Sequence, residues 1–146
     1  MTKVLVVGHS DDDGHVIAEQ ARLNLSQVPG FEVSVVVDPA RTYGHRSWLA
    51  IGRMPEIVDA ELIFFVDLMF SPATFMDEAA SLTSLAKSYP EKRFYVLDHH
   101  PLPLGRLYSA ENVRAVYRPD VFECVIGKPS GLMIVAALCE KQNETV

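Results

Sequence analysis

Short apolar runs recur along this chain, and each is separated from the next by a segment of mixed polarity. Residues 3–8, 32–37, Leu62–Val66 and 93–97 are continuous β-branched or aromatic stretches, the pattern of strands buried on both faces. Between them lie segments with helical spacing. Residues 14–27 carry Val16, Ile17, Ala21, Leu23 and Leu25 on a rough apolar face, and Pro29-Gly30 stops them. A short helix is predicted over 55–60 and a longer one over 73–88, with Pro72 at the tolerated first turn and Pro90 beyond the end. Short strands at 113–117 and 122–126 flank the turn Arg118-Pro119-Asp120 as a hairpin, and Ser130 caps a last helix through 139.

Strands alternating with helices predict an α/β fold, a mostly parallel sheet with helices on both faces. Ligands of such sheets bind beyond the carboxyl ends of the strands. Polar chemistry in this sequence gathers where those ends are expected. Gly8-His9-Ser10-Asp11-Asp12-Asp13-Gly14-His15 follows the first strand, Asp67 follows the third, and Asp98-His99-His100-Pro101 follows the fourth.

Taken singly, each group has a plain explanation. Three acids after a strand can form a solvated turn that caps the next helix. An acid often ends a strand, and two histidines can be a satisfied loop pair. The conjunction is more specific. Clustered acids repel, and no lysine or arginine occurs between Gly8 and Ala21 or between Glu61 and Leu85 to neutralise them. Carboxylate and imidazole together suit divalent ions such as manganese. Two adjacent ions are a known means of cleaving phosphate esters.

Composition narrows the setting. The 146 residues fit one domain spanning 1–146, and 49% hydrophobic with 22% charged residues is ordinary for a globular protein. No apolar stretch reaches membrane-spanning length, and the run before His9 is too short for a signal-peptide core. The two cysteines, Cys124 and Cys139, form no C-x-x-C pair, which suggests buried thiols and a cytoplasmic location. A net charge of −6 disfavours long nucleic acid as a partner, although bound cations would offset the clustered aspartates locally.

The order His9-x-Asp11-x-Asp13-Gly14, then Asp67, then Asp98-His99-His100-Pro101 resembles the DHH phosphoesterase superfamily, closest to its RecJ-like branch. The resemblance implies an N-terminal DHH-type domain without the usual C-terminal substrate-binding domain. It implies manganese as the preferred ion, with magnesium or cobalt substituting, and two ions per site. Asp11 and Asp13 would each ligate one ion or share them, Asp67 would bridge, and His99 would ligate the second. His100 would face the scissile phosphate, and Asp98 would orient an imidazole. His9 would be a ligand or a phosphate contact. A metal-held water would attack phosphorus.

The resemblance is incomplete. Family members continue to a fourth aspartate motif, and Asp120 comes too early to supply it. Water, a partner subunit or a separate chain would then complete the site. The implied activity is metal-dependent hydrolysis of a small nucleotide or short oligonucleotide. The alternative is a catalytically incomplete DHH-like binding or regulatory module. Arg41, His45 and Arg46 could grip such a substrate or belong to a solvated loop. Tyr43 and Trp48 could stack on a base, or Trp48 could lie in the core. Leu68, Met69, Phe70, Phe75 and Met76 suit core packing, with a lid or a homodimer contact as the alternatives. Gly127-Lys128-Pro129-Ser130-Gly131 has the wrong spacing for a phosphate loop.

Overall fold

A computed structural model of the chain describes residues 1–8, 12–37, 55–66, 75–98 and 110–117. Its elements in chain order are β1 (Thr2–Gly8), α1 (Asp12–Ser26), β2 (Phe31–Val37), α2 (Pro55–Asp59), β3 (Leu62–Val66), α3 (Phe75–Ser88), β4 (Arg93–Asp98) and β5 (Val113–Tyr117). The strands form one five-stranded sheet in the order β2-β1-β3-β4-β5. All four pairings are parallel.

Burial explains why the apolar runs become strands. Successive side chains in a strand point to opposite faces. Leu5, Val7, Ile63, Phe65, Phe94, Val96 and Val113 line one face and form a core with Ile57 of α2 and Leu82, Leu85 and Ala86 of α3. Val4, Val6, Phe64, Val66 and Tyr95 occupy the alternate positions and are also buried. Ala18, Ala21 and Leu25 of α1 are fully buried outside the first core, and α1 packs on β1, β2 and β3. The sheet is therefore covered on both faces, as the continuous apolar runs require.

Aromatic packing joins β3 to β4 on each face. Phe64 and Tyr95 are directly paired across the ladder, with ring centroids 4.7 Å apart and planes 13° from parallel. Phe65 and Phe94 pack diagonally at 6.1 Å on the other face. Fully burying a side chain of this size contributes roughly 1.5–3 kcal/mol.

The turn from α1 into β2 needs Gly30, whose φ of 85° lies in the left-handed region that glycine adopts without a Cβ clash. Its carbonyl accepts a hydrogen bond from the Thr2 amide at 2.7 Å, which fixes the entry of β2 beside β1.

Element boundaries differ modestly from the sequence expectation. α1 starts at Asp12 rather than Gly14, so two of the three clustered aspartates belong to its first turn. α3 starts at Phe75, two residues after the position that Ser71-Pro72 suggested. β5 extends the parallel sheet beside β4. The second strand of the expected hairpin and the last helix lie outside the described residues, as do both cysteines.

Candidate functional site

The candidate site is built by the strand order. From β1 the chain passes through α1 to β2 on one side of β1. It then crosses back to β3 on the other side. The direction of winding reverses between β1 and β3, which is where the carboxyl edge of such a sheet opens a crevice.

Register makes that edge level. Gly8 is the Cα partner of Val66, and Val66 is the partner of Leu97. Three adjacent strands thus reach the edge together. Gly8 is followed in sequence by His9, Ser10 and the three aspartates, Val66 by Asp67, and Leu97 by Asp98, His99 and His100.

The backbone of Asp13 lies in the first turn of α1, immediately after Asp12, and Asp98 is the last residue of β4. Asp98 pairs with Tyr117 of β5. His9, Asp11, Asp67, His99 and His100 lie outside the described residues, as do Arg41, His45 and Arg46. Among the described residues, no group of three or more His, Cys, Asp or Glu side chains is arranged to hold a metal ion. The donor chemistry of the edge sequences is nonetheless rich in carboxylate oxygen, which suits magnesium or manganese.

The opposite, amino edge holds the described polar structure, and sequence reasoning missed it. Lys92 is buried at 7% exposure. Its Nζ donates to the carbonyls of Val58 at 2.9 Å and Ala60 at 2.5 Å, closing the carboxyl end of α2. The same ammonium lies 5.3 Å from the Tyr89 ring centroid. Asn112 Nδ2 donates to the carbonyls of Ala86, Tyr89 and Lys92 at 2.9–3.0 Å, closing the end of α3. Carbonyls at helix ends lack intrahelical partners, and these two side chains supply them. Nothing in the sequence marks this role, because Lys92 stands between Glu91 and Arg93, and a lysine between two elements ordinarily reads as solvated.

Lys3 Nζ binds Asp59 Oδ2 at 2.7 Å and ties β1 to α2. The Asp59 hydrogen bond, with its charge, raises the Lys3 pKa above the ordinary lysine value. Beside this pair an open groove of about 330 Å³ is lined by Lys3, Glu32, Ser34, Glu56 and Asp59 among others. It lies at the amino edge, away from the switch point.

No family model matches the chain, and no curated protein matches it. Among solved structures it is similar to the isolated REC domain of RcsB from Salmonella enterica serovar Typhimurium, determined in the presence of phosphomimetic BeF3⁻. The two share 18% identity, and the match covers 95% of this chain and 88% of that chain with a TM-score of 0.53. At this identity the likeness shows the fold, a receiver-type α/β sheet.

That finding corrects the family expectation. The solved structure that the chain resembles here is a receiver domain and not a DHH phosphoesterase, and no family model supports the DHH assignment. The RecJ-like, hydrolase and phosphodiesterase readings fall with it, as does the incomplete DHH-like module. A small nucleotide or short oligonucleotide as partner is likewise overturned. The physical reason is that the motifs are short and sit at strand ends. Any parallel α/β sheet collects polar residues at its carboxyl edge, whatever its function. The α/β architecture itself stands as the sequence indicated. Among the described residues no helix is long and apolar enough to cross a membrane.

Proposed function

We propose that this chain is a phosphorylation-regulated receiver module in which Asp67 accepts a phosphoryl group. The observation that carries the reading is the Gly8–Val66 pairing at the switch point. It brings the strand that precedes Asp11, Asp12 and Asp13 beside the strand that precedes Asp67. The similar receiver domain was determined with a phosphomimetic, which supports phosphoryl chemistry on this fold.

In this reading Asp11 and Asp13, with Asp12 beside them, hold a divalent cation, magnesium or manganese. The ion would offset negative charge on the incoming phosphoryl oxygens. Asp67 is the nucleophile. Its carboxylate oxygen bonds to phosphorus while the donor's bond to phosphorus breaks, leaving an acyl phosphate. The clustered acids without a neighbouring lysine or arginine fit a site whose charge a cation balances.

The partners are then proteins, one supplying the phosphoryl group and others reading the modified surface. A single module over 1–146 suffices for this role, in keeping with a match over 95% of the chain. A cytoplasmic setting suits two cysteines without a pairing pattern.

The test is phosphoryl uptake from acetyl phosphate with magnesium, read by intact mass. Uptake of one phosphoryl group by the natural chain and none by Asp67→Asn is the expected result. Equal uptake by a folded Asp67→Asn protein overturns the assignment.

A further inference from the structure

We propose that the outer edge of β2, with the groove beside it, takes up an extended segment of a partner protein whose side chains alternate between apolar and basic. The segment docks by strand addition. The proposal does not depend on Asp67 as a phosphoryl acceptor.

Two independent features of one strand select this occupant. The first is the edge itself. The sheet order ends on β2, which pairs with β1 on its inner side. Among the described residues no strand pairs with its outer side. Such an edge presents a row of amide and carbonyl groups that template another strand. Phe31–Val37 holds neither the lysine nor the proline that commonly blunts an edge, and Glu32 is its one charge. Although α1 packs on β2, Phe31, Val33 and Val35 stay only half-buried. Strand alternation puts these three on one face. An added strand extends the sheet and lays apolar side chains beside them.

The second feature is the charge of the other face. Glu32 and Ser34 are exposed there, and they line the groove of about 330 Å³ together with Lys3, Glu56 and Asp59. Lys3 is the partner of Glu32 across the ladder, but its ammonium is held by Asp59 at 2.7 Å. Three carboxylates thus line the groove against one ammonium. Its volume is at the lower end of those that hold ligands. Alternate side chains of an added strand fall beside Glu32 and Ser34. Charge complementarity makes those side chains lysine or arginine. Main-chain hydrogen bonds supply affinity, and the alternating side chains supply specificity.

The probe is a seven-residue synthetic peptide alternating valine and lysine. It is titrated into the isotope-labelled chain at low salt and followed by amide chemical shifts. Saturable binding is expected, with the shifts centred on β2 and α2. Glu32→Lys should weaken binding at least about fivefold, the scale of exchanging an exposed attraction for a repulsion. Glu32→Gln, which keeps the size of the side chain, should weaken it less. The same peptide with its amides N-methylated keeps the charge but cannot donate to β2, and should not bind. Equal binding by the methylated peptide overturns strand addition. Equal binding to the folded Glu32→Lys protein overturns the role of the groove. No saturable binding overturns the proposal. So does a dimer of the free chain whose β2 amides shift on dilution, because a second copy then occupies the edge.

Discussion

Gly8 of β1 is paired with Val66 of β3, and both residues stand at the carboxyl edge of the sheet. This pairing joins two segments separated by most of the first half of the chain. It sets the strand that precedes Asp11–Asp13 in the sequence beside the strand that precedes Asp67. The proposed receiver reading puts a cation at this edge. The chain should bind magnesium or manganese, with affinity lowered in Asp13→Asn. Calorimetry on both proteins checks this, and unchanged affinity in a folded variant contradicts the ligand assignment. BeF3⁻ should raise the melting temperature only when the divalent ion is present, since binding to the folded state stabilises it.

Lys92→Met should destabilise the fold without altering phosphoryl uptake in the folded population. Methionine keeps an unbranched side chain of similar length but cannot donate to the Val58 and Ala60 carbonyls. Leaving buried acceptors unsatisfied costs about 1–3 kcal/mol. Chemical denaturation measures this directly. A stability equal to the natural chain would show that water replaces the ammonium freely.

Phe65→Ala should be the more damaging change. Phe65 is fully buried and packs against Phe94. Losing a core phenylalanine costs about 3–5 kcal/mol through lost transfer energy and the remaining cavity. Because Phe65 lies close to the end of β3, the same variant should also weaken BeF3⁻ binding. Denaturation and binding measured together separate the two effects.

The Glu19–Arg22 ion pair predicts a small pH effect. The Arg22 hydrogen bond is the main cause that holds the Glu19 pKa below its usual value. A depressed folded pKa contributes stability above the unfolded pKa, and that contribution is lost as pH falls through the folded value. Glu19→Gln should therefore be slightly less stable near neutral pH, with the difference closing in acid. Added salt should shrink the difference, because both side chains are well exposed. Melting curves across pH with and without salt check the sign.

Much of the architecture was legible because burial on both faces leaves continuous apolar runs. Val4 to Val7, Ile63 to Val66 and Phe94 to Val96 are such runs, and each is a strand. The position of Asp98 at the end of β4 was legible for the same reason. Family membership was not. A short pattern such as Asp98-His99-His100 records residue types at a strand end, while the partners that give them a role come from other strands. The amino-edge ties were equally hidden. Lys92 and Asn112 act through backbone carbonyls of Val58, Ala60 and Ala86, and carbonyls leave no mark in a sequence.

The central claim is that Asp67 takes up a phosphoryl group. The most direct measurement is to phosphorylate the chain with acetyl phosphate and magnesium, reduce with borohydride, digest, and sequence the peptides by mass spectrometry. Borohydride converts an aspartyl phosphate to homoserine and leaves free aspartate unchanged. Homoserine at position 67 alone is the predicted result. Homoserine at another aspartate, or none after loading, contradicts the account.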